Sequence, residues 1–174
     1  MDKKLKQKLK IIEEECTLTP TQRAALLTDG SLTILLEAFE GSEIKISGLK
    51  QKIIPADEKF VGELKITSGE ELNEREVILS AGKKPLVYAK SYAVISRLSD
   101  DAKNDILNTD LPIGKILKKH KVEVHREIKE IGLKSDARIA GILNLNNNKI
   151  LFRSYMIIQK SVPLMKIDEY FGEI

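Results

Sequence analysis

Three charged side chains fall among hydrophobic neighbours when their segments are read as extended chain, in which alternate residues share a face. In the stretch from Met165 to Phe171, Glu169 shares its face with Ile167 and Phe171, while Lys166, Asp168 and Tyr170 take the other. Between Leu72 and Leu79, Arg75 lies with Asn73, Val77 and Leu79, opposite Glu74, Glu76 and Ile78. Between Val122 and Ile128, Arg126 is the one charge on the face of Val122, Val124 and Ile128. Arg153 shares parity with Leu151 and Ile157 and, with Tyr155, is a further candidate ranked behind Arg126.

A charge surrounded by hydrocarbon is costly unless something pairs with it. Any one of these residues is accounted for by a structural ion pair, or by an inward charge that discourages sheet edges from associating. Together, two cations and a carboxylate facing one interior make the lining of a pocket for a small anion. An arginine holds a planar carboxylate through two parallel hydrogen bonds. A glutamate among apolar neighbours has a raised proton affinity and suits acid–base work. The chemistry to expect is orientation of an anionic small molecule beside one proton-handling group.

Periodicity indicates the elements that must position these residues. Lys4 to Glu15 is expected to be helical, with Leu5, Leu9 and Ile12 on one side as an N-terminal cover. Thr19-Pro20 starts a second helix that breaks at Asp29-Gly30, and Ser31 caps a third from Leu32 to Phe39, closed by Gly41. The corner between these two helices exposes backbone donors. A period of two runs from Ile44 until Pro55 ends it, and Phe60 to Ile66 is expected to be extended as well. Leu72 to Ser80 and Leu86 to Ile95 form a hairpin whose turn spans Ala81 to Pro85; its second arm is covered on both faces and is therefore central. Ser99 caps a helix reaching Leu107, and Leu111 to Gly114 leads into another from Lys115 to Lys119, where Gly114 permits close approach at a helix start. Further strands are expected from Lys121 to Ile131, ended by Gly132, from Ile150 to Gln159, and over the Glu169 segment. The sum is a single α+β domain over residues 1–174: a largely antiparallel sheet of about six strands, with helices gathered on one face and at the ends.

With 42% hydrophobic and 32% charged residues among 174, the chain is ordinary for a soluble domain with a sizeable core. The net charge of +3 comes from 29 basic and 26 acidic residues spread along the chain, which does not point to a nucleic-acid partner. No apolar run approaches a membrane span and the basic N-terminus lacks a secretory apolar stretch, so a cytoplasmic location without membrane contact is expected. Cys16 alone forms no intrachain disulfide. With His120 and His125, both expected to face solvent, it supplies no zinc-type ligand set. There is no glycine-rich phosphate loop and no Gly-x-Ser-x-Gly elbow, which leaves nucleotide and serine-hydrolase chemistry unsupported.

Taken in order, Leu27-Thr28-Asp29-Gly30-Ser31-Leu32-Thr33, Arg75-Glu76-Val77-Ile78-Leu79, Pro112-Ile113-Gly114 and Asp168-Glu169-Tyr170-Phe171 resemble the motifs of the chorismate pyruvate-lyase family. Ala89-Lys90-Ser91-Tyr92 and His125-Arg126-Glu127-Ile128 fit strands between them, while Leu133 to Ile158 matches loosely. The resemblance implies an antiparallel sheet with helical flaps, and cleavage of chorismate to 4-hydroxybenzoate and pyruvate without metal or organic cofactor. It further implies that Arg75 holds the ring carboxylate and Glu169 the opposite end of the ring, with Leu32, Ile113 and Gly114 around it. Leu32 stands where a bacterial member has methionine, and Ile113 replaces leucine. Arg126, and behind it Arg153 with Tyr155, would meet the enolpyruvyl carboxylate. The alternative is a non-catalytic effector-binding domain of the same fold, such as bacterial transcription regulators carry; the short segment ahead of Ile44, with no helix-turn-helix domain expected in it, weighs towards an enzyme. Turnover of chorismate is expected to persist in excess chelator; activity lost there and restored by a divalent ion would contradict this.

Overall fold

Extended chain forms where the hydrophobic period is two, and the computed structural model describes residues 3–174. The strands are β1 (Ile44–Pro55), β2 (Glu71–Ala81), β3 (Lys84–Val94), β4 (His125–Ser135), β5 (Lys149–Gln159) and β6 (Val162–Phe171). They form one sheet in the order β1-β2-β3-β6-β5-β4, with every neighbouring pair antiparallel. β3 is an inner strand of this sheet, in keeping with the cover on both of its faces.

The helices are α1 (Lys3–Glu15), α2 (Pro20–Leu27), α3 (Leu32–Glu40), α4 (Glu58–Leu64), α5 (Asp100–Asn108), α6 (Ile113–Lys119) and α7 (Ala137–Ile142). Side-chain caps set their starts. Thr19 makes a capping box with Gln22 ahead of α2, and the Ser31 hydroxyl accepts from the Ile34 N–H at 3.4 Å ahead of α3. α1 to α3 cover one end of one sheet face, burying Leu9, Ile12, Leu26 and Leu36 against Leu79, Val87, Leu151 and Phe171. α5 and α6 cover the other end of that face with Ile106, Ile116 and Leu117. Two short helices, α4 and α7, pack on the opposite face, α4 through Phe60 and Leu64 and α7 through Ile139 and Leu143. None of the helices among the described residues is long and apolar enough to cross a membrane.

Several local expectations change. The segment expected to be extended from Phe60 is α4, because Asp57 accepts from the Phe60 N–H at 3.2 Å and nucleates a helix there. The hairpin turn is tighter than expected, since Ala81 pairs with Lys84 and only Gly82 and Lys83 lie between them. β4 starts after Val124 and runs through Gly132 to Ser135. Gly132 continues that strand because the Phe152 ring lies over it; an added Cβ would stand 2.8 Å from Phe152 Cε1. A bulge between Ile128 and Glu130 resets the alternation, which turns Ile131 and Leu133 towards the core. His120 is half-buried rather than solvent-facing, its Nε2 2.8 Å from Asp105 Oδ2, whereas His125 is exposed.

Candidate active site

The strand order converts separate face assignments into a floor. Arg75 on β2 pairs with Ser91 on β3, Ser91 with Ile167 on β6, and Ile167 with Tyr155 on β5. The next row is Val77, Ala89, Glu169 and Arg153. The row on the other side is Asn73, Ala93, Met165, Ile157 and Arg126. Arg75 and Glu169 therefore stand two strand spacings apart and one pleat repeat out of line, about 10 Å across the sheet and about 7 Å along it. Arg126 lies beyond both, on the far side from Arg75. Small residues on β3, Ala89, Ser91 and Ala93, keep the space between them open.

Above this floor is a partly open cavity of about 50 Å³. Its sheet side includes Arg75, Ser91, Arg126, Tyr155, Ile167 and Glu169, and its roof is Ser31, Leu32 and Thr33 from one corner with Pro112, Ile113 and Gly114 from another. The two corners meet. A Cβ on Gly114 would lie 3.1 Å from the Ser31 hydroxyl, so even a methyl there would make the Ser31 side chain give by a few tenths of an ångström. The first N–H groups of α3 and α6 have no partner within their helices, which leaves Leu32 and Ile113 as backbone donors at the roof.

Arg75 is 1% exposed, and no carboxylate lies within ion-pair distance of it among the described residues. Its guanidinium donates to the carbonyls of Leu111 and Thr109, each at 3.0 Å, and Nε has no partner. Burial pushes its pKa below the ordinary arginine range, with Asp110 offsetting part of the effect. The loop ahead of α6 thus bonds a desolvated cation through carbonyl oxygens, a state that a ligand carboxylate would relieve.

Glu169 is differently placed. Arg153 Nε donates to its Oε2 at 2.6 Å, and the Tyr155 hydroxyl donates to its Oε1 at 3.0 Å. Of the two expectations for a glutamate among hydrocarbon, a buried partner or a ligand, the structure supplies the buried partner. Burial raises the Tyr155 pKa, and Glu169 beside it adds to the shift. Burial opposes the charge on Arg153, but Glu169 and Tyr155 outweigh it and hold the guanidinium above its ordinary range. Arg75 and Glu169 are not partners of each other, which removes the structural ion pair as an account of Arg75.

Of the residues singled out in the sequence, Leu32, Arg75, Ile113, Gly114, Arg126 and Glu169 line the cavity. Arg153 does not; it lies behind Glu169. Parity ranked it below Arg126 because parity cannot tell an inner strand such as β5 from the outermost strand β4. Ser91 and Thr33 were not singled out. The run of small residues on β3 was the available signal for Ser91, and Thr33 carried none. No group of three or more His, Cys, Asp or Glu side chains able to hold a metal occurs among the described residues.

The family described as chorismate pyruvate-lyase Rv2949c-like matches residues 26–173. The chain is 36% identical over 157 residues to a protein of Methanocaldococcus jannaschii named "Putative lyase MJ0807", covering 87% of this chain and 77% of that one. Among solved structures it resembles the effector domain of PhnF from Mycobacterium smegmatis, with a TM-score of 0.64 and 15% identity over 84% of this chain and 90% of that one. A GntR-family transcriptional regulator from Enterococcus faecalis V583 gives a TM-score of 0.59 and 14% identity over 75% and 93%. At such identities the structural likeness speaks for the fold alone.

Proposed function

The chain belongs to the Rv2949c-like chorismate pyruvate-lyase family, and from that premise we propose that it is a lyase cleaving chorismate to 4-hydroxybenzoate and pyruvate in the cavity between sheet and flaps. The observation that carries this is Arg75, a buried guanidinium without a carboxylate partner in the wall of a cavity that Glu169 also lines.

In this reaction the ether bond between the ring and the enolpyruvyl oxygen breaks, and the ring carbon bearing the hydroxyl gives up its proton. The electrons of that C–H bond complete the aromatic ring, and the departing enolpyruvate takes up a proton to become pyruvate. Atoms and electrons balance without oxidant or reductant. Aromatisation makes the step downhill, so the site contributes orientation and one proton-handling group. Arg75 fixes the ring carboxylate, its free Nε supplying one prong. Arg126, half-buried on the far side and donating to the Asp29 carbonyl at 3.4 Å, is placed for the enolpyruvyl carboxylate. Glu169, already accepting from Arg153 and Tyr155, enters as an acceptor: it receives a hydrogen bond from the ring hydroxyl and is positioned for the proton released at that end. An effector-binding domain needs a cation to hold an anion but has no need of a carboxylate facing it, which favours the lyase.

The cavity as it stands is about 50 Å³, well below the roughly 150 Å³ of a cavity that takes up benzene, so a ring enters only if the corners at 28–33 and 111–114 move aside. Closing them again excludes water from a charged ligand. Saturating 4-hydroxybenzoate is therefore expected to slow amide hydrogen exchange in both segments while leaving α7, on the opposite sheet face, unchanged. Exchange at both corners that stays the same under saturation would count against this site.

A further inference from the structure

Arg153 makes a contact pattern that neutralising Glu169 does not require. A pair built only for neutralisation would set both prongs of the guanidinium side by side on the carboxylate. Here Nε alone reaches Glu169 Oε2, at 2.6 Å. Nη1 points away from the sheet and donates to the carbonyls of Ala25 at 2.6 Å and Thr28 at 2.8 Å, while Nη2 has no partner. The guanidinium is fully buried and lies 4.8 Å from the Tyr155 ring centre. Ala25 sits in the last turn of α2, and Thr28 is both its C-cap and the first residue of the corner over the cavity. One rigid cation therefore holds the carboxylate with one edge and the hinge of a flap with the other.

We infer that Arg153 is a positioning residue that couples closure of the corner at 28–33 to the orientation of Glu169. With the corner down, three bonds define the plane of the guanidinium, and that plane fixes Oε2. With the Thr28 carbonyl withdrawn, the guanidinium keeps only its bonds to Ala25 and Glu169, so its plane, and with it Oε2, is less firmly fixed. The carboxylate is thus aimed at the ligand when the site is covered and loosened when it is open. Arg126, whose Nη1 reaches the neighbouring Asp29 carbonyl, is a second clasp on the same corner. Lysine cannot reproduce the device, because its donors radiate from one atom and do not form a planar fork.

This rests on Glu169 as the reactive carboxylate, but its test does not depend on turnover. The measurements are hydrogen exchange at 28–33 and at β3 without ligand, and 4-hydroxybenzoate affinity, in wild type, Arg153→Lys, and the doubly substituted Arg153→Met/Glu169→Gln. Arg153→Lys is expected to keep a cation beside Glu169 yet speed exchange at 28–33 about tenfold or more, with β3 unchanged, because bonds from a charged donor to the hinge are lost. Its kcat should fall with KM nearly unchanged. The double variant leaves no unpaired charge. If Arg153 served only to neutralise Glu169, the corner would exchange at the wild-type rate in that protein; coupling predicts that it stays fast there too. Wild-type exchange at 28–33 in the double variant, or acceleration spread evenly through β3, overturns the inference. Should wild type leave chorismate unchanged, the lyase proposal fails while the exchange result still decides the coupling.

Discussion

Arg75→Met is expected to weaken 4-hydroxybenzoate binding by about 2 to 5 kcal/mol, roughly 30-fold to a few thousand-fold, the range for removing one partner of a buried charged contact. The same substitution should leave the melting temperature unchanged or raise it. Arg75 is desolvated, bonds only to the carbonyls of Thr109 and Leu111, and leaves Nε unpartnered, so an apolar side chain of similar volume relieves a cost in the unliganded protein. Affinity and stability moving in opposite directions is the signature of a residue kept for its ligand. Calorimetric titration and thermal melting of the one variant check both halves. A large fall in melting temperature with unaltered affinity would assign Arg75 to the fold instead.

Glu169→Gln should behave differently. The amide keeps the shape and the oxygen that Arg153 holds, and its NH2 donates to the Tyr155 hydroxyl oxygen in place of accepting from it, so product affinity should change little. It cannot take up a proton, so turnover should fall by about 100-fold or more, as for loss of a general acid–base group. Stability should fall as well, since the Arg153 guanidinium, 0% exposed, loses its counter-charge. Steady-state kinetics with thermal melts measure both effects. Wild-type turnover in Glu169→Gln would take the residue out of the mechanism.

The contrast between these two variants shows where the sequence was legible. Alternation is a local property, and it brought out Arg75, Arg126 and Glu169 as inward charges before any strand order was known. The caps at Thr19, Ser31 and Ser99 and the strand end at Pro55 were equally local and stand as expected. What alternation cannot convey is which strands become neighbours. Arg153 meets Glu169 because β5 lies beside β6, and without that order it ranked behind Arg126. The same blindness left Glu169 with no visible partner, where the structure pairs it with Arg153 and Tyr155. A single bulged residue reversed the alternation after Ile128, so the inner face beyond it was out of phase. α4 was hidden because Gly62 and Val61 weaken the helical pattern that the Asp57 cap decides. The flaps were legible as turn-rich corners, but their contact through Ser31 and Gly114 joins segments far apart in the chain.

The central claim is chemical, and the most direct measurement mixes purified protein with chorismate and follows both products over time. The lyase account predicts 4-hydroxybenzoate and pyruvate appearing in equal amounts at a rate proportional to protein concentration and well above the protein-free control. Chorismate that remains intact while 4-hydroxybenzoate still binds at the Arg75 cavity would contradict it and identify the chain as an anion-binding domain that uses this fold without catalysis.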